Sequence, residues 1–119
     1  MKKLTRKEEE IMKILWRLEK AFVKDIIDEY PKPKPHYNTI SSLVRLLQEK
    51  EIVGFKQYGN TYQYYPLISK NEYRKSFMNQ VISDYFDNSY KSAVTFFVKE
   101  KGLSKEELEE LVKMINDKD

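Results

Sequence analysis

Residues 37–50 read Tyr-Asn-Thr-Ile-Ser-Ser-Leu-Val-Arg-Leu-Leu-Gln-Glu-Lys, after a Pro31-Lys32-Pro33-Lys34-Pro35 connector and before a change of pattern at Ile52. The spacing predicts a helix from about Asn38 to Lys50. At about 100° per residue, with Ile40 at 0°, Leu43, Val44, Leu46 and Leu47 fall at roughly 300°, 40°, 240° and 340° and form one continuous apolar face. The opposite face carries Gln48, Ser41, Arg45, Asn38, Glu49 and Ser42 at roughly 80°, 100°, 140°, 160°, 180° and 200°. No acidic residue lies between Pro35 and Gln48. Hydroxyl, amide and guanidinium groups placed in this way meet base edges well. The competing reading for Ser41, Ser42 and Arg45 is an ordinary wet helix face, although most surface helices mix Lys with Glu where this one carries Ser and Asn.

Upstream, Thr5-Arg6-Lys7-Glu8 reads as a capping box, and Ile11, Leu15 and Leu18, widened by Met12, Ile14 and Trp16, continue a first helix to about Glu19 or Lys20. A second begins at Ala21 or Phe22, with Val23, Ile26, Ile27 and Tyr30 at helical spacing until the prolines stop it. Downstream, Val53, Phe55, Tyr62, Tyr64 and Tyr65 surround Tyr58-Gly59-Asn60, a glycine-containing reversal that predicts a two-stranded hairpin closed by Pro66. Three helices followed by a hairpin is the order of a winged helix-turn-helix, in which the third helix enters the major groove. Lys56, Gln57, Tyr58, Asn60 and Thr61 then become candidates for phosphate contacts, against the alternative of a plain polar turn.

Residues 69–119 read as helices. Ser69-Lys70-Asn71-Glu72 and Ser104-Lys105-Glu106-Glu107 are further capping boxes, one opening a helix to about Phe86 and the other a last helix with Leu108, Leu111, Val112 and Ile115 inward. Between them Tyr90 to Lys99 forms another helix, stopped by Gly102. From Tyr73 at 0°, Phe77, Val81, Tyr85, Met78, Ile82 and Phe86 span roughly 40° to 220°, wider than one packing face needs. Some fifty residues of helix without a sheet make a poor core alone, so a second copy is expected to cover Phe77, Val81, Ile82, Tyr85, Phe86, Phe96, Phe97, Leu108 and Leu111. The alternative is that this part folds back onto the same chain. The expected organisation is a winged-helix DNA-binding domain over 1–68 and a helical dimerisation domain over 69–119, mainly α with one small hairpin.

The 119 residues suit one small domain with an appendage, and 40% hydrophobic content with only three glycines and four prolines places the chain among folded proteins. No run approaches a membrane span. Arg6-Lys7-Glu8-Glu9-Glu10 stands where a signal peptide has its apolar stretch, so a cytoplasmic protein is expected. The absence of cysteine excludes disulfides, thiol catalysis and thiolate metal sites. With His36 as the sole histidine and no glycine-rich loop, no catalytic set, cofactor cradle or small-molecule substrate site is legible, and His36 itself reads as a structural or solvent residue. Glu8-Glu9-Glu10 and Glu106-Glu107 point in different directions around their helices and make poor metal sites. Residues 1–68 carry thirteen basic against nine acidic side chains and residues 69–119 nine against ten, so an anionic partner belongs to the first part.

Leu4-Thr5 with Glu8, Ile11-Met12, Leu15-Trp16, Val23-Lys24-Asp25-Ile26, Tyr37-Asn38-Thr39-Ile40-Ser41-Ser42-Leu43, Tyr62 to Pro66, and Leu103 to Leu111 together resemble the penicillinase repressor (BlaI/MecI) family over nearly the whole chain. The resemblance implies a bacterial transcriptional repressor: a winged helix on double-stranded operator DNA, a C-terminal helical part that makes a homodimer, and release through a partner membrane sensor-protease. It places the reading positions at Asn38, Thr39, Ser41 and Ser42, and the proteolytic cut at Phe96-Phe97, where the family's best-known members have Asn-Phe. Arg45-Leu46-Leu47 stands where the family often has Lys-Arg-Leu, which moves the guanidinium about 100° around the helix. The cysteine cluster of copper-responsive members has no counterpart here. A reading from another class is a winged-helix protein–protein interaction module without DNA specificity, which the small net charge of +3 keeps open.

Overall fold

A computed structural model describes residues 3–102 and 104–116. They form two compact units, one reaching to Lys70 and one starting at Asn71. In the first, α1 (Arg6–Leu18) leads through a two-residue strand β1 (Ala21–Phe22) into the short α2 (Val23–Asp28), then α3 (Tyr37–Glu49), β2 (Val53–Tyr58) and β3 (Thr61–Pro66). The second holds α4 (Lys70–Phe86), whose first residue closes the first unit, α5 (Tyr90–Lys101) and α6 (Lys105–Asn116).

Local chemistry sets the ends of these elements. The Thr5 hydroxyl accepts from the Glu8 backbone N–H at 3.2 Å while Glu8 Oε1 accepts from the Thr5 N–H at 2.8 Å, the reciprocal cap expected there. Ser104 and Glu107 make the same exchange before α6, at 3.1 and 3.3 Å. Gly102 ends α5 with φ at +60°, a left-handed conformation that favours glycine.

The strands form a three-stranded antiparallel sheet in the order β1-β3-β2, with Ala21 opposite Tyr64 and Phe22 opposite Gln63. The expected hairpin is present as β2 and β3, paired from Val53 opposite Pro66 to Tyr58 opposite Thr61, and β1 joins it as a third strand. Ala21-Phe22, read as a helix start, is a strand because β3 offers it a free edge, and α2 begins one residue later at Val23.

The core of the first unit is Ile11, Met12, Ile14 and Leu15 of α1, Val23 and Ile26 of α2, Ile40, Val44 and Leu47 of α3, and Ile52, Val53 and Tyr64 from the sheet side. Trp16 Nε1 donates to the Ile68 carbonyl at 2.9 Å and ties the chain leaving β3 back to α1. In the second unit Ile82 and Ala93 are buried, and the Phe86, Phe96 and Phe97 rings join α4 to α5 with centroids 5.6–6.4 Å apart.

Candidate nucleic-acid interface

The α3 helix hangs on three buried side chains, Ile40, Val44 and Leu47, which lie within roughly 60° of one another on the helical projection. That narrow anchor leaves most of the helix outside the core. Asn38, Thr39, Ser42 and Arg45 are exposed and Ser41 is half-buried. Asn38, Ser42 and Arg45 follow one another at steps of four and three residues, so they form one polar stripe. Ser41 sits nearer the wall of the stripe.

The expected apolar face of α3 is too wide. Leu43 is half-buried and Leu46 is 46% exposed, so Leu46 belongs to the outer surface. The helical projection gives its direction, roughly 120° from Ile40, but not how far the neighbouring elements reach around the helix.

The helix also begins in a way that suits an anion. His36 is the N-cap residue but makes no side-chain cap bond, and the first turn has no acidic residue. Tyr37 is 56% exposed there.

At the wing, Lys56, Gln57, Tyr58 and Asn60 are all exposed, but they do not make one patch. Alternation along β2 places Gln57 with Phe55 on one face of the hairpin and Lys56 with Tyr58 on the other. Gln57 Nε2 donates to the Gly59 carbonyl at 3.0 Å and Thr61 Oγ1 to the Tyr58 carbonyl at 2.9 Å, so both side chains hold the turn. Gly59 takes φ of +59° within it. Lys56 Nζ lies 5.3 Å from the Tyr58 ring centroid, and that ring meets Phe22 edge-on at 5.8 Å.

An aromatic group at the junction of α3 and the wing went unread in the sequence as part of a site. Phe55 and Tyr62 pack edge-on at 5.1 Å, both within 6.4 Å of the buried Tyr64. Burial raises the Tyr64 phenol above its ordinary value, and the Arg45 charge works the other way. The alternation of Phe55, Tyr62 and Tyr64 was legible only as a strand signal.

In the second unit, the residues expected at a dimer face divide by exposure. Ile82 is 2% exposed and is covered within the chain. Phe77, Tyr85 and Phe96 are exposed, Tyr85 most of all at 78%, while Val81, Phe86, Phe97 and Leu108 are half-buried. The Leu111 side chain lies outside the described residues. Phe96 and Phe97 sit within α5, so a bond between them is a helical bond.

An outward polar helix beside a three-stranded sheet, on an α1-α2-α3 core, defines a winged helix-turn-helix protein. Residues 4–117 match the family model described as penicillinase repressor. The chain is 30% identical over 112 residues to the methicillin resistance regulatory protein MecI of Staphylococcus aureus and to that of Staphylococcus epidermidis, covering 93% of this chain and 91% of each relative. It is 24% identical over 111 residues to the penicillinase repressor of Bacillus licheniformis, covering 92% of this chain and 87% of that protein. The chain belongs to the penicillinase repressor family of transcriptional regulators. Among the described residues, no helix is long and apolar enough to cross a membrane.

Proposed function

We propose that the protein is a dimeric, sequence-specific repressor that reads a palindromic operator through α3 in the cytoplasm. The observation that carries this reading is the exposed Asn38-Ser42-Arg45 stripe, with Thr39 beside it, on a helix held by only three buried anchors. Such a surface offers amide, hydroxyl and guanidinium groups to base edges without an acidic residue to repel phosphate until Glu49. Ser41 lines the margin of the stripe. Lys56, Tyr58 and Asn60 reach the backbone from the wing, and Gln57 contributes by holding the turn in shape.

Residues 1–68 form the DNA-binding part and residues 69–119 the dimerising part, whose exposed Phe77, Tyr85 and Phe96 are apolar surface for a second copy. As the family resemblance of the sequence implies, release follows cleavage by a membrane sensor-protease at Phe96-Phe97. Because that bond lies within a helix, α5 must open locally before a protease can take it as an extended substrate. Cutting separates α6 from the rest and weakens the bivalency that holds two half-sites. Antibiotics and metal ions added directly are expected to leave DNA affinity unchanged.

Titrating the intact protein on duplex DNA against salt tests the reading. Neutralisation of phosphates by Lys56 and neighbouring lysines gives a steep fall of log affinity with log salt. A module that binds only protein gives no saturable binding to DNA at any salt concentration.

A further inference from the structure

Leu46 is large, apolar and 46% exposed on the helix that otherwise presents hydroxyl, amide and guanidinium groups. It is not isolated. Thr39, Leu43 and Leu46 follow one another at steps of four and three residues, so the exposed Thr39, which carries a methyl group, the half-buried Leu43 and Leu46 form a second stripe along α3. This apolar stripe runs beside the polar one of Asn38, Ser42 and Arg45, with Ser42 roughly 40° from Leu46 around the axis. Arg45, on the polar stripe, is roughly 100° from Leu46 around the axis.

In the major groove, only one of the four bases presents an apolar group, the 5-methyl of thymine. A helix that sets a Leu and a Thr methyl next to a polar stripe is chemically matched to a thymine beside a base read by hydrogen bonds. We infer that Leu46, backed by Thr39 and Leu43, is a specificity-determining residue that selects thymine in each operator half-site through its 5-methyl group. This rests on the operator-reading function proposed above and adds to it a base identity. It also assigns Leu46 a part in recognition, where the sequence reading had placed it only on the apolar face of the helix.

The test uses the full-length protein and an operator selected from random duplexes. Each thymine is replaced in turn by deoxyuridine, which removes the methyl and keeps every hydrogen-bonding group. Affinity is then measured for the unaltered protein and for Leu46→Ala, a position 46% exposed and outside the buried core. At one thymine per half-site, uridine is expected to weaken the unaltered protein about fourfold, the factor for one buried methyl-sized group, and to leave Leu46→Ala unchanged. Sequence-specific binding with no loss at any uridine, or with equal loss in both proteins, overturns the inference while leaving operator reading intact. Selection that enriches no sequence overturns both.

Discussion

On the proposed reading, Arg45 is the cation that reads sequence, because Asn38 and Ser42 before it on the stripe are uncharged and its backbone is fixed by Val44 and Leu47 on the buried side of α3. If it makes a bidentate contact with a guanine, Arg45→Ala weakens operator binding by about 1–3 kcal/mol and relaxes preference at one position of each half-site. Gel-shift titration against a set of single-base operator variants checks this, and unchanged affinity on all of them removes Arg45 from the reading set. At this scale the sequence was a good guide to direction. Asn38, Ser42 and Arg45 point outward as the helical period requires. It was a poor guide to cover. Leu46 lies on the margin of the apolar arc, and whether such a residue is buried depends on the reach of elements far away in the chain.

At the scale of elements, the ends of α1 and α3 are tied together by an ion pair that composition does not reveal. Glu8 is 1% exposed and is the buried charged side chain among the described residues. Its Oε1 accepts from Lys50 Nζ at 2.7 Å as well as from the Thr5 N–H, while Oε2 is buried without a hydrogen-bond partner. Burial works against the charged carboxylate, and the hydrogen bonds and charge of Lys50, with the Thr5 cap, outweigh it, so the Glu8 pKa lies below its ordinary value. A carboxyl with a depressed folded pKa stabilises the protein fully above its unfolded pKa of about 4.3, and that contribution is lost as pH falls through the folded value. Glu8→Gln is therefore expected to cost about 1–3 kcal/mol at neutral pH, because it leaves a partly buried Lys50 unpaired. The difference in urea stability between wild type and variant should hold steady down to about pH 5 and shrink below about pH 4. A difference that does not change with pH would show that the Glu8 charge contributes nothing.

The sequence showed Glu8 as a cap residue but not as the partner of Lys50, because the two are 42 positions apart and meet only when α1 packs against α3. Helix α3 itself was legible to within one residue, since its apolar period is strong and the prolines before it mark the start. Strand β1 was not. Two residues carry no alternation of their own, and Ala21-Phe22 becomes a strand only by pairing with Tyr64 and Gln63.

At the scale of the whole molecule, the first unit contains its own core and its own closing bond, from Trp16 to Ile68. A fragment of residues 1–70 is expected to fold, to sediment as a monomer, and to bind a full operator with an affinity lower by about 10²-fold or more, since linkage of two half-site contacts is lost. If the fragment sediments as a dimer, the interface belongs to the winged helix and the exposed aromatics of the second unit have another purpose. The aromatic helices of that unit were legible as elements. What covers Phe77 and Tyr85 was not, because a hydrophobic period gives the direction of an apolar face without identifying what packs against it.

Two copies of α3 reading two symmetry-related half-sites leave a direct signature in the sequences that the full-length protein selects from a random duplex pool. An enriched palindrome is expected, with half-site centres about one helical turn apart, roughly 10 base pairs, or a whole multiple of that spacing. Recovery of a single, non-repeated half-site, or of no enriched sequence, would contradict it.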